Sequence, residues 1–223
     1  MPASRDGLVL YIGEKNISSW SMRAFVALAA KGLEFEERTI PLREDKDRSR
    51  RRKVSPTGRV PVLHHLDRVI PDSLAIIEYL EETFPPPRHR ALWPADAGQR
   101  AHARWLACAM HSGFMKMREG MSFNLCFLPE RPPAPPEALA DAAELLAMWE
   151  EALSRKSSPG PYLFGEFGAV DAMFAPAVVR LLAFKVSTAS VPRAAGYMQA
   201  VLEHASVRRW LDEARALPPA RTY

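Results

Sequence analysis

Residues 55–73 read S-P-T-G-R-V-P-V-L-H-H-L-D-R-V-I-P-D-S, and two features of this run constrain the fold most: the Val60-Pro61 bond and the Asp72-Ser73 pair downstream of it. Proline nearly removes the trans preference of the bond before it, so a Val-Pro step between a Gly turn and an apolar run is free to be cis. A cis bond there exposes the backbone of Val60, where a peptide can pair with it. Asp72-Ser73 leads directly into L-A-I-I-E-Y-L-E-E-T-F, in which Leu74, Ile76, Ile77 and Leu80 recur at helical spacing. A short polar residue at that start caps the helix, whose free N–H groups and positive dipole end favour a carboxylate. The pair predicts a site for a small anionic peptide.

The chain has 223 residues, 48% of them hydrophobic, enough for one large domain or two smaller ones, and typical domain sizes favour two. A membrane-spanning helix needs about 20 successive apolar residues, and no stretch approaches that, so no membrane association is expected. The opening M-P-A-S-R-D-G lacks an apolar signal core. Cys108 and Cys126 are the only cysteines. Two thiols argue against a disulfide-stapled secreted fold and fit a reducing cytoplasm; they also lack metal-ligand spacing, so no metal is expected. The formal charge of +4 is modest, and the densest basic run, R-S-R-R-R-K at 48–53, carries no interleaved aromatic residues. It reads as a solvated loop or helix face, with an anion-attracting rim beside the peptide site as the alternative, and no nucleic-acid partner is expected.

Punctuation organises the rest. L-V-L-Y-I at 8–12 is a β-rich run that stops at Gly13 and predicts a first strand. Ser18 or Ser19 then caps a helix through Lys31, with Gly32 as its stop. F-E-E-R-T-I-P-L predicts a second strand, the basic stretch a loop, and V-P-V-L-H-H-L with R-V-I-P a hairpin. Pro85, Pro86 and Pro87 cannot continue a helix and mark a linker. Beyond residue 94 the pattern is helical: Q-R-A-H-A-R-W-L-A-C-A-M-H-S-G-F-M-K-M-R predicts one long helix, P-E-R-P-P-A-P-P interrupts, and P-P-E-A-L-A-D-A-A-E-L-L-A-M-W-E-E-A-L resumes.

V-P-x-L followed by an acidic residue and Ser before L-A-I-I-E-Y-L-E-E resembles the glutathione-binding half of soluble glutathione transferases. Upstream, N-I-S-S-W-S-M-R-A-F-V-A-L-A-A-K-G resembles the first turn and helix of the serine-type classes, zeta and tau. The resemblance extends over nearly the whole chain. It implies an α/β thioredoxin-like N-terminal domain at 7–84, a linker at 85–93 and an all-α C-terminal domain at 94–223. F-G-A-V-D-A-M-F-A-P at 167–176 matches the family's capping box before its buried core helix, with Gly168 where Ser or Thr is usual and Asp171 as a structural cap.

The resemblance also implies chemistry. Glutathione must become a thiolate to attack, and a helix N-terminus with a serine hydroxyl favours that anion. Counted back from A-L-A-x-K-G, Ser18 falls on the catalytic serine. Ser19 is the alternative, and Tyr11 a further one, because other transferase classes place a tyrosine near the first strand. Val60, beside Pro61, would pair with the cysteinyl backbone, while Asp72 and Ser73 would hold the γ-glutamyl end. A basic residue of 43–53, Lys46 or Arg48, would hold the glycyl carboxylate. Trp20, His111, Met115 and Arg118, with Phe114 and Met117 beside them, are candidates for the second substrate; the same stripe at helical spacing also reads as ordinary core. His64 and His65 receive no role.

Two departures shape the expected activity. The zeta pattern S-S-C-x-x-R becomes Ser18-Ser19-Trp20-Ser21-Met22-Arg23, losing its cysteine, and the family's R-F-K-V becomes Ala183-Phe184-Lys185-Val186, losing the arginine that holds an acidic substrate. Arg180, one turn earlier, reads as a surface or interface arginine, or as one that reaches the same space. The implied function is therefore a cytoplasmic, homodimeric transferase that joins glutathione to a small, largely apolar electrophile. A glutathione-dependent cis-trans isomerase, an organic hydroperoxide reductase and a noncatalytic glutathione-binding stress-response protein are the alternatives.

Overall fold

The computed structural model describes residues 7–42 and 45–219, apart from the side chains of residues 45 and 46. Four strands form one sheet in the order β2-β1-β3-β4: β1 Leu8–Ile12, β2 Phe35–Thr39, β3 Val62–His65 and β4 Arg68–Pro71. β1 runs parallel to β2, with Leu8 opposite Phe35, and antiparallel to β3, with Leu10 opposite Leu63. Leu8, Leu10 and Ile12 are buried while Val9 and Tyr11 are less so, the period of two that a strand imposes.

Helix α1, Ser19–Lys31, links the parallel pair, as a parallel connection requires. Ser18 is its N-cap and Gly32, at φ 77°, its left-handed C-terminal stop. Residues 21–28 of α1 are buried all round, because α3 (Ser73–Thr83), α7 (Ala169–Ala183) and α9 (Ala205–Arg215) pack on different sides of it. Fully burying a side chain the size of Phe25 or Leu28 contributes about 1.5–3 kcal/mol. The basic stretch expected as a loop is helix α2, Asp45–Val54. Arginine and lysine are good helix formers, and Arg51 ties α2 down by donating to the carbonyls of Gly58 and Pro41.

Residues 84–96 carry neither helix nor strand, and everything regular after them is helical except an isolated bridge between Tyr162 and Gly165. The helices are α4 Ala97–Ser112, α5 Met115–Gly120, α6 Pro136–Ser154, α7, α8 Pro192–Glu203 and α9, with a tight helical turn at Phe123–Phe127. The fold is thus a small thioredoxin-like α/β layer followed by a helical remainder. Buried Lys31 binds the two parts: its Nζ donates to Glu81 Oε2 at 2.7 Å and to the Arg90 carbonyl at 2.8 Å.

The single long helix expected across 99–118 is broken. Gly113 is extended and Phe114 left-handed at φ 58°, and a Cβ on Gly113 would sit 2.7 Å from the Ala109 carbonyl oxygen. The break sends Met117 into the core and leaves Met115 and Arg118 on the cleft described below.

Asp171 caps α7 by accepting from the Gly168 N–H at 2.8 Å. A Cβ on Gly168 would lie 2.5 Å from the Leu92 carbonyl oxygen, which receives the Ala169 N–H. Close approach of the linker backbone therefore accounts for glycine where a capping hydroxyl is usual. Among the described residues no helix is long and apolar enough to cross a membrane, and no cluster of three or more His, Cys, Asp or Glu side chains is placed to hold a metal.

Candidate functional site

A cleft of about 980 Å³ opens where the N-terminal ends of α1 and α3 meet α4, α5 and α7. Ser18, Ser19 and Trp20 line it from α1, Val60, Pro61, Asp72 and Ser73 from the hairpin side, and His111, Met115 and Arg118 from the helical part. Phe114 and Met117 are buried in the core instead, and Tyr11 points to Arg38 and His64.

The Val60-Pro61 bond is cis. Val60 precedes the β3–β4 ladder, which begins at Val62 opposite Pro71, so its backbone lies outside the strand register and beside the cleft. Asp72 adopts φ 80° and caps α3, its Oδ1 accepting from Leu74 N–H at 2.8 Å and Ala75 N–H at 3.4 Å. Its other oxygen stands 3.4 Å from His111 Nε2, a contact between the two parts of the molecule. Ser73 is fully buried, and its hydroxyl has no partner among the described residues. A buried hydroxyl without a partner costs roughly 1–3 kcal/mol, and a ligand carboxylate at this helix N-terminus would satisfy it.

Ser18 is buried, with its oxygen held by the turn it caps: Oγ accepts from Ser21 N–H at 3.3 Å and lies 2.7 Å from Ser21 Oγ. Ser21 Oγ in turn accepts from the Gly13 N–H at 3.1 Å. Ser19 faces another way, its Oγ accepting from Arg180 Nη2 at 3.1 Å. Arg180 is therefore not a surface or interface side chain. It is buried, anchored by donating to the Met121 and Pro176 carbonyls, and borders the cleft.

Three guanidinium groups crowd this corner. Arg23 stacks over Trp20 at 4.4 Å from the ring centroid and Arg118 at 5.2 Å, while His111 meets the same ring edge-on at 5.2 Å. Nε and Nη1 of Arg23 and Nε of Arg118 find no acceptor among the described residues. Burial, then the charges of Arg118 and Arg180, hold Arg23 well below the ordinary guanidinium value against the pull of Asp72. Burial also lowers Arg180, to about 10, and Arg118, the latter opposed by Asp141. Buried cations with no carboxylate in ion-pair contact among the described residues are costly, and an anion entering the cleft beside Arg118 and Arg180 would offset part of that cost.

At the opposite end, half-buried Arg51 and exposed Arg59 border the cleft beside Val60. Arg48 is exposed on α2 and does not line it, and the Lys46 side chain lies outside the described residues. Arg59, the residue before Val-Pro, lies outside the 43–53 stretch in which a basic partner is expected from the sequence. Arg180 is legible as the arginine one turn before Ala183 that reaches this space, whereas Ser21 carries no local signal, because its contacts are not displayed by the sequence.

Residues 17–83 match the family described as Glutathione S-transferase, N-terminal domain. Glutathione S-transferase 1 of Dianthus caryophyllus is 32% identical, the match covering 90% of this chain and 94% of that one. A maleylacetoacetate isomerase of Rattus norvegicus is 30% identical over 87% of each. Among solved structures, a glutathione transferase homologue from Burkholderia, crystallised with bound glutathione, superposes with a TM-score of 0.72 at 30% identity, covering 94% of this chain and 99% of that one. Identity of 32% to a glutathione S-transferase over 90% of this chain shows that the chain belongs to the glutathione S-transferase family.

Proposed function

We propose that the cleft binds glutathione and lowers the pKa of its thiol, so that the thiolate attacks an electrophilic carbon of a second substrate. The observation that carries this reading is the convergence of the capped start of α1, the cis Val60-Pro61 backbone and the capped start of α3 on one cleft. Val60 is suited to pair with the cysteinyl amide, Asp72 with the γ-glutamyl ammonium, and the Ser73 hydroxyl with the γ-glutamyl carboxylate. Arg51 and Arg59, which line the cleft, join Lys46 and Arg48 as candidates for the glycyl carboxylate. With the peptide so aligned, its sulfur lies against Ser18, which donates a hydrogen bond to the anion, and the thiol proton leaves to solvent. The thiolate, not the thiol, is the nucleophile.

The test is titration of the ultraviolet thiolate absorbance of bound glutathione. Ser18→Ala is expected to raise the thiol pKa by about one to two units, the worth of a hydrogen bond to a charged group. Ser19→Ala is expected to leave it within about half a unit, because that hydroxyl serves Arg180. A wild-type thiol pKa at the free value of about 8.5 would reduce the protein to a noncatalytic glutathione binder.

A second reading, glutathione-dependent isomerisation of an unsaturated acid, is favoured by the arginine corner. Arg180 and Arg118 border the cleft beside Trp20 and Phe123, so the electrophile has both an apolar wall and a place for a carboxylate. This amends the expectation of a largely apolar substrate. Adding the thiolate to a cis double bond, rotating and eliminating it would return glutathione unchanged, whereas conjugation consumes it. Following free glutathione during turnover of a cis-alkenyl diacid separates the two. Arg180→Met is expected to weaken diacid binding about tenfold or more while leaving the bound thiol pKa unchanged. Stability should hold, since an apolar side chain replaces a buried charge.

A further inference from the structure

We infer that Ser21 is a positioning residue that saturates the lone pairs of Ser18 Oγ and thereby turns the Ser18 hydroxyl proton toward the ligand sulfur. The inference rests on the reading that Ser18 faces the glutathione thiol.

The geometry is a short chain of donors. The Gly13 N–H, at the end of β1, donates to Ser21 Oγ at 3.1 Å. Ser21 is fully buried, away from bulk solvent, and its hydroxyl lies 2.7 Å from Ser18 Oγ. The Ser21 N–H also points at Ser18 Oγ, at 3.3 Å.

A hydroxyl has one proton to give and two lone pairs to receive. In the resting arrangement Ser18 gives its proton to Ser21 Oγ. A thiolate in the cleft is a stronger acceptor than a hydroxyl oxygen, so the Ser18 proton swings to sulfur. The Ser18 oxygen then faces Ser21 with a lone pair, and the Ser21 proton rotates to fill it. Ser21 is able to make that turn because its own oxygen already accepts from Gly13 and its proton has no other partner among the described residues. No covalent bond changes; two hydroxyl protons rotate. At the end, Ser18 Oγ accepts from both the N–H and the O–H of Ser21, and hydrogen bonds arranged in series polarise one another, which strengthens the outward O–H···S⁻ bond.

Ser19 has no equivalent support: its oxygen accepts from Arg180, on the side of the cleft with the arginine corner. The Gly13–Ser21–Ser18 chain thus separates two adjacent serines that sequence alone leaves as rivals.

The test is the same thiolate titration in a double-mutant cycle: wild type, Ser18→Ala, Ser21→Ala and the double variant. Ser21→Ala is expected to raise the bound thiol pKa by about half to one unit. In the Ser18→Ala background the same change is expected to do nothing further, because the hydroxyl it positions is gone. A residue that merely stabilised the loop would lower the melting temperature without this non-additivity. If Ser18→Ala raises the pKa but Ser21→Ala does not, or if the two effects add, the inference is overturned and the thiolate reading stands. If Ser18→Ala itself has no effect, the thiolate reading falls first. Should Ser21→Ala fail to fold, Ser21→Cys keeps the shape with a weak donor. Its expected shift is similar, read as the difference between spectra with and without glutathione.

Discussion

At the scale of single residues, the cis bond and the α3 cap that border the cleft were legible because local backbone chemistry writes them: Val-Pro offers a cis bond, and Asp-Ser caps a helix. Ser73 carries the most direct prediction. Its hydroxyl is buried with no protein partner among the described residues, so within the protein it contributes cost rather than stabilisation. Ser73→Ala should therefore leave the melting temperature unchanged or raise it, while weakening glutathione binding about tenfold, as loss of a hydrogen bond to a charged group would. Calorimetric titration with glutathione beside thermal unfolding reads both quantities. A fall in stability with unchanged affinity would mean that the hydroxyl serves the fold and not the ligand. Arg180 shows the opposite case. Its partner Ser19 is 161 residues away, so its importance comes from how α7 packs on α1 and not from any motif around it.

At the scale of elements, periodicity located the strands and most helices, and failed where tertiary contacts override it. The 99–118 pattern is helical throughout, yet the Gly113-Phe114 break divides it and re-aims α5. The cap of α7 was visible as Gly168 and Asp171, but the reason for glycine, the approach of the Leu92 carbonyl, was not. The same cap yields a pH prediction. Burial pushes the Asp171 carboxyl up to about 7, against the hydrogen bonds from the Gly168 and Leu163 N–H groups that favour its charged form. A folded-state value above the ordinary 3.8 means the native state holds this proton where the unfolded chain has released it. The contribution to stability is complete below 3.8 and is lost as pH rises through about 7, a change of roughly 4 kcal/mol over the window. Asp171→Asn keeps the shape of the cap without the titration, so its stability should be flatter than wild type between those values. Denaturant midpoints measured across the window check this, and parallel curves for the two proteins would remove Asp171 as the cause.

At the scale of the whole molecule, a thioredoxin-like layer followed by helices was legible because strand, helix and proline signals fall in a distinctive order, while the joining of the two parts was not. Lys31 with Glu81 and the Arg90 carbonyl, Asp72 with His111, and Arg180 with Ser19 are pairings between segments far apart in sequence. They place the cleft at the junction, so each half supplies groups the other lacks. Leu66, at the tip of the β3–β4 hairpin, is 77% exposed, Val69 on the edge strand β4 is 44% exposed, and Trp105 on α4 is 56% exposed. The hairpin and α4 are neighbours through α3, which packs on β4 and accepts Arg104 of α4 at Glu78. Large apolar side chains left outward on adjoining elements offer a surface to another protein. We propose a second copy of this chain as that partner, through an interface of the standard size of about 1,200–2,000 Å². Light scattering should then give twice the 24.9 kDa of one chain. Leu66→Asp combined with Trp105→Glu should return the mass to that of one chain, because burying either charge in the interface costs more than the contact supplies. Leu139→Asp, an equally simple change at an exposed leucine of α6, should leave the dimer intact. A wild-type mass of one chain, or a dimer untouched by the double variant, would put the partner surface elsewhere.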